Sequence, residues 1–449
     1  MSQASKSITV KGLGTVSYEP LGRLSAEQLN QALSSNVVDD PISKKKTNLY
    51  NLFNEIDDKG NRAAAPFSSN LGAKNPVDFY RLIYNTTIPE NKKTYTVSGL
   101  LAVPVLPAKQ DNKSKTPSIP LLSWQHGTIL TPYDAPSFLI QNSKVVRGPT
   151  GIPASAETLF NAVRFAGNGY ALAAADYIGN GISTETQAYA VKGATIQTTK
   201  DMITGATAVI KELMPNTSGN PISKLVLNGW SQGGLNTAWL GNALQNDGVI
   251  VHKQAQASAP VDVAKTISYW FNDYPGTPNW LTACVPLAIG AYEKYYGIKD
   301  LMKAAIGPKY LDTANKIYNK QIDWSKVPEP PKGQGLLGLP VKAKDMLNKS
   351  FLVDFNAKRG EFYKQVTANT ALQDKYKWPT RFYGGSGDTI VPPTNGVNQP
   401  VAFQQAKGSN LSAGFDMGLA ATHRGTFLSS VFEGVTNPGN SILTWFNAA

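Results

Sequence analysis

The stretch LVLNGWSQGG, Leu225 to Gly234, constrains this chain more than any other. Its apolar first half reads as a strand. The strand stops at Ser231, which has Gly229 two positions before it and Gly233 two positions after it. A helix candidate begins at the serine and runs to about Asn246. A chain turns this sharply from strand to helix only where the flanking residues lack a Cβ, because the two backbones must approach closely. The residue at the apex is then held in a strained conformation and displayed at the carboxyl end of the strand. A G-x-S-x-G match alone arises often by chance. Its position between a predicted strand and a predicted helix gives it weight.

The surrounding pattern supplies a fold class. Strands are predicted at Tyr95–Val105, Ile119–Gly127, Gly169–Tyr177, Lys224–Asn228, Lys253–Pro260 and Thr380–Gly385. The first reads as an antiparallel strand at a sheet edge. Several of the others are continuous apolar runs. Helix candidates at Ala154–Ala166, Thr195–Leu213 and Ser231–Asn246 alternate with them. Strands buried on both faces and interleaved with helices predict an α/β architecture, a mostly parallel sheet wrapped by helices. Residues 1–75 are polar and broken by Gly, Pro and Asn. They read as an N-terminal arm with one short helix at Leu24–Leu33 and Ser25 as its cap. Residues 76–261 and 378–449 read as the core. Residues 262–377 lack strand signal, are rich in aromatics and contain the irregular PEPPKGQGLLGLP, so they read as an inserted helical cap.

Composition excludes other classes. With 41% hydrophobic and 16% charged residues, a chain of 449 can bury a large core. The formal net charge of +12 is spread out, and Lys44, Lys45 and Lys46 form its nearest approach to a cluster. With no nucleic-acid motif beside it, this charge predicts a basic surface with weak attraction to anionic membranes or polymers. The single cysteine, Cys284, lies in an apolar run, reads as buried and structural, and allows no intrachain disulfide. No segment is apolar and long enough to span a bilayer, and MSQASKSITV has no signal-peptide core, which leaves two expectations: a cytoplasmic protein, or one whose signal peptide has been removed. No C-x-x-C, H-E-x-x-H, phosphate-binding loop or dinucleotide fingerprint is present, so neither metal nor cofactor is expected.

A serine hydroxyl is a poor nucleophile until a neighbour accepts its proton. Only three histidines are available. His252 precedes a strand and falls at its amino end, away from Ser231. His126 ends a strand at the correct edge, but HGT suits another role, and His126 is taken as a substrate contact. His423, late in the chain before a helix, is the expected base. The acid that orients it is expected at Asp388, in the Gly-rich loop GGSGDTIVPP, with Asp262 and then Asp416 as rivals. Backbone amides of Gln232 and of Thr128 or Gly127, with Thr128 favoured, are expected to hold an oxyanion. Asp176 and Tyr177 are expected to organise the floor. Trp230, Trp270 and Phe271 are the aromatic candidates for substrate contact.

The motifs GLLAVP, WQHGT, ADYIGNG, GWSQGG, GSGDTIVP and THRG, in that order, resemble the α/β-hydrolase superfamily, and more narrowly its bacterial lipase/esterase branch related to secretory lipases. The resemblance covers about Tyr95 to Pro260 and Thr380 to the end, and leaves out the cap. It implies Ser231, Asp388 and His423 as a triad, hydrolysis of small-molecule or lipid esters with no cofactor, transient contact with a lipid interface, and export. A serine peptidase on the same fold and a non-catalytic binding protein are the alternative readings.

Overall fold

Runs of small and branched apolar residues form the centre of the sheet because side chains there must pack on both faces. The computed structural model describes residues 4–40, 45–107, 117–217, 219–328, 330–331 and 333–448. Lys44 of the basic run and Glu329 and Lys332 of the Pro-rich loop lie outside the described residues. Ten strands make one sheet. They are β1 (Lys6–Val10), β2 (Gly14–Leu24), β3 (Val77–Thr87), β4 (Thr94–Pro104), β5 (Ile119–Gln125), β6 (Ala171–Ala175), β7 (Ile222–Trp230), β8 (Lys253–Ala257), β9 (Thr380–Gly384) and β10 (Ser412–Asp416). Their order is β1-β2-β3-β4-β6-β5-β7-β8-β9-β10. The first four pair antiparallel, and β4 is antiparallel to β6. All later pairings are parallel.

Helices cover both faces. They include α1 (Ala26–Ser34), α2 (Ala156–Arg164), α3 (Lys192–Leu213) and α4 (Gln232–Asn246). In β6, Ala171, Ala173 and Ala175 face one hydrophobic cluster while Leu172 and Ala174 face the other. The first cluster contains Met202 and Val209 of α3 and Trp239 of α4. The second contains Phe160 and Val163 of α2. Each large apolar side chain fully enclosed in these layers contributes roughly 1.5–3 kcal/mol. Parallel strands β5, β7 and β8 all end at the same edge, which is where the loops carrying the site emerge.

Two expectations change. β1 and β2, within the segment read as an arm, extend the sheet, and β4, read as an edge strand, is interior because β3 pairs with it. The reason is visible in β2, where Val16, Tyr18 and Leu21 are buried while intervening residues face outward. Such a half-polar strand carries a weaker signal than a doubly buried one. Ser25 does cap α1. Its hydroxyl accepts the Gln28 N–H at 3.1 Å and the Gln28 side chain accepts the Ser25 N–H at 2.8 Å.

Between β8 and β9 the chain forms α5 (Val263–Asn272), α6 (Cys284–Tyr296), α7 (Pro308–Tyr318), α8 (Lys349–Asn356) and α9 (Gly360–Ala368), with no strand among the described residues. Much of its aromatic content packs on itself. The Phe271 ring lies 5.1 Å from Phe355 and 6.2 Å from Phe351, and Tyr292 lies 5.2 Å from Phe362.

If β1 and β2 are integral, Val16→Asp, which puts a carboxylate into a fully enclosed position, destabilises the protein by about 3 kcal/mol or more in urea unfolding. A loss below about 0.5 kcal/mol would show these strands to be an appendage.

Candidate active site

Ser231 sits between the last residue of β7 and the first of α4, with φ 58° and ψ −125°. A non-glycine residue in that region is strained by about 1–3 kcal/mol. The surroundings enforce it. A Cβ on Gly229 would collide with the Gly233 carbonyl oxygen and the Thr237 hydroxyl, and one on Gly233 would collide with the Gln125 carbonyl oxygen. The Ser231 N–H is fixed by the Ala257 carbonyl at 2.9 Å. The elbow is thus wedged between β5 and β8.

His423 is the first residue of α10 (His423–Val431), whose cap is Thr422. The Thr422 hydroxyl accepts the Gly425 N–H at 3.1 Å and donates to Glu55 at 2.7 Å. From this position His423 Nε2 lies 2.8 Å from Ser231 Oγ, and Nδ1 lies 2.8 Å from Asp388 Oδ2. The other oxygen of Asp388 accepts the N–H groups of Ile390 at 2.9 Å and Val391 at 3.0 Å. An ionised carboxylate only accepts, so the imidazole proton is assigned to Nδ1, and Nε2 is left to accept from the serine. The side chains are enclosed: Ser231 is 9% exposed, His423 5% and Asp388 3%. The rival acids are occupied elsewhere. Asp262 caps α5 through the Lys265 N–H and accepts from Gln399. Asp416 accepts the N–H groups of Ser386 and Gly418 at 3.0 and 2.9 Å, which ties the loop before Asp388 to the loop before His423. His252 is exposed at the start of β8.

The oxyanion expectation divides. The Gly127 N–H donates to Glu157 Oε2 at 2.7 Å, so it is engaged and does not face the serine as a free donor. Burial of the Glu157 carboxyl pushes its pKa up to about 7. Among the described residues the amides of Gln232 and Thr128 have no protein acceptor, and both residues line the cavity beside Ser231. Gln232 is the first residue of α4, where the N–H has no intrahelical partner and the helix dipole favours negative charge. Burial holds His126 near pKa 4, hence neutral, with a single ring proton. The closer contact, Nδ1 to the Gly127 carbonyl at 2.7 Å, takes it. Carbonyl and N–H point oppositely across a trans peptide. Holding the Gly127 carbonyl to His126 therefore turns the Thr128 N–H away from it. The Thr128 hydroxyl is fixed to Tyr189 at 2.8 Å.

Three residues taken as substrate contacts lie elsewhere. His126 is buried beneath the loop, stacked on Tyr177 at 4.2 Å. Trp230 is buried, its ring 4.8 Å from His423 and its indole N–H donating to the His423 carbonyl at 3.0 Å, so it braces His423. Phe271 belongs to the cap's own core. None of these three side chains lines the cavity over Ser231. Trp270 does line the cavity over Ser231, together with Tyr189, Leu235, Val263, Ile267 and Cys284. Burial pushes the Cys284 thiol up to about 12, so it is no thiolate at neutral pH. Asp176 is fully buried and accepts from Ser98 and from the Ser137 N–H at 2.9 Å, which anchors the floor. Glu157, Glu55 and Tyr189 had no signal in the sequence, since each acts on a residue distant along the chain. Among the described residues no three His, Cys, Asp or Glu side chains form a metal-binding group.

If Asp388 fixes the imidazole, Asp388→Asn lowers kcat by about 10⁴-fold, the scale of losing the required tautomer. Asp262→Asn should cost less than tenfold. Steady-state kinetics on one ester decides between them, and a dead Asp262 variant beside an active Asp388 variant would overturn the assignment.

No family model matches the chain, and no curated protein sequence does. Solved structures are similar to it. A protein described as a hydrolase from Legionella pneumophila superposes with a TM-score of 0.70 at 18% identity, over 92% of this chain and 94% of that one. The rice cell wall degrading esterase LipA from Xanthomonas oryzae superposes with a TM-score of 0.63 at 20% identity, over 91% and 92%. Candida antarctica lipase A in its closed state gives 0.54 at 18%, over 77% and 73%. The parallel sheet flanked by helices, the serine at its carboxyl edge and the likeness to these structures lead to one conclusion: the chain has the α/β-hydrolase fold.

Proposed function

We propose that this protein hydrolyses carboxylic esters with apolar acyl groups through an acyl-enzyme. The observation that carries this reading is the relay of Ser231, His423 and Asp388, with 2.8 Å at each link, opening on an apolar cavity. The fold neighbours described as esterase and lipase support it. As Ser231 Oγ attacks the ester carbonyl, its proton passes to His423 Nε2. Asp388 stabilises the imidazolium that forms. The carbonyl oxygen gains negative charge beside the amides of Gln232 and Thr128, and each such donor is worth about 10²–10³ in rate. His423 then protonates the leaving alcohol. A water molecule repeats the attack on the acyl-enzyme, with His423 taking the water's proton and returning a proton to Ser231.

The acyl group is assigned to the cap side, where Leu235, Val263, Ile267 and Trp270 surround the serine. Such a wall contributes roughly 0.8 kcal/mol per buried methylene, or about fourfold in binding. Ala288 lines this cavity one helical turn beyond Cys284 on α6, where a larger side chain would close off its depth. Contact with a lipid interface belongs to the same reading, supported by the net charge of +12.

A panel of nitrophenyl esters tests this. kcat/KM should rise from acetyl towards octanoyl, and Ala288→Trp should abolish that rise while acetyl turnover stays within about threefold. Equal turnover of acetyl and octanoyl esters would remove the cap from acyl binding. Absence of turnover across the panel, with an aminoacyl anilide cleaved instead, would favour a peptidase.

A further inference from the structure

The cap is bonded to the loop that carries the acid. Tyr269 Oη donates to the Thr389 carbonyl at 2.8 Å, and Trp270 Nε1 donates to the Ile390 carbonyl at 2.8 Å. Thr389 Oγ1 returns a bond to the Thr277 carbonyl at 2.6 Å. Thr389 and Ile390 directly follow Asp388, and the Ile390 N–H is one of the two donors holding Asp388 Oδ1. Ile390 and Val391 are buried in a small cluster with Tyr274 and Leu281 of the cap segment, and Tyr269, Trp270 and Trp280 pack against it. The far side of the acid loop is fixed through Ser386 and Asp416. The turn presenting Asp388 is therefore held from the sheet at one end and from the cap at the other.

We propose that Tyr269 and Trp270 are positioning residues for the catalytic acid, so that the cap holds Asp388 in register with His423. This rests on the assignment of Asp388 and His423 to the relay. Tyr269 and Trp270 are consecutive on α5, and both reach the backbone of residues 389–390. They touch none of the reacting atoms themselves. Trp270 and Ile390 also line the cavity over Ser231. An acyl chain packed against this indole presses on the same side chain that holds the acid loop. Longer chains then gain in kcat as well as in KM, because part of their binding free energy orders the relay. A cap that lifted from the sheet would break all three bonds and loosen the acid.

The test uses the full chain with Tyr269→Phe, Trp270→Phe and the double variant. Tyr269→Phe removes only the hydroxyl donor, whereas Trp270→Phe removes the indole N–H together with part of the ring, a loss of volume that the Trp280→Phe control reproduces. On a nitrophenyl acetate, kcat should fall roughly tenfold or more in the double variant while KM stays within about twofold, and the unfolding midpoint should change little. A readout independent of turnover is the low-field proton resonance of the His423–Asp388 hydrogen bond, which should broaden or vanish in the double variant. Trp280→Phe, on the same wall and packed against the same Ile390–Val391 cluster but with no hydrogen bond to the acid loop, should leave that resonance in place. Parental kcat with a parental resonance in the double variant would overturn the proposal, as would a lower kcat with the resonance untouched. If the protein cleaves no ester, the resonance still decides whether the cap holds the acid.

Discussion

The backbone at Ser231 is the constraint on which the site depends. Held at φ 58°, it stops β7, starts α4 and lifts one hydroxyl out of a buried sheet edge. Nothing at the turn is free to relax, because Gly229 and Gly233 are each in contact with backbone that would exclude a Cβ. The strain is carried by packing on both faces of the sheet, where α3 and α4 on one side and α2 on the other bury the large side chains. The same turn leaves the first N–H of α4, that of Gln232, without an intrahelical partner next to Ser231.

Around that fixed point, the other groups are held by bonds that cross the fold. The Glu157 carboxyl takes the Gly127 amide, and His126 takes the Gly127 carbonyl. Glu55 reaches Thr422, and Trp230 reaches the carbonyl of His423. Tyr269 and Trp270 reach past Asp388 from the cap. Each loop that bears a functional group is tied to a segment remote in sequence. Rigid placement of this kind spares the chemistry much of the reorganisation it would otherwise require.

Much of the fold and the relay was legible in the sequence because those features are local. The glycines around Ser231 show as a five-residue pattern, although the backbone that excludes a Cβ at Gly233 belongs to the remote Gln125. Alanine and leucine runs such as Ala171–Ala175 announce burial on both faces. His423 stood out because only three histidines exist and His252 falls at the wrong strand end. What was not legible depends on direction and distance. β1 and β2 alternate polar with apolar residues and read as an arm. Phe271, Trp230 and His126 read as substrate contacts, while packing places them in the cap core, against the His423 ring and beneath the Gly127–Thr128 loop. Gly127 and Thr128 are neighbours with equivalent amides, and the remote Glu157, which takes the Gly127 N–H, separates them.

Covalent capture tests the central claim, that a single serine is activated by one histidine in this site. A fluorophosphonate incubated with the folded protein should modify one residue, mapped by mass spectrometry to Ser231. The rate of modification should fall by about 10³-fold or more in His423→Ala, since the hydroxyl then has no base. Modification at another serine, or labelling of Ser231 at an undiminished rate without His423, would contradict the account.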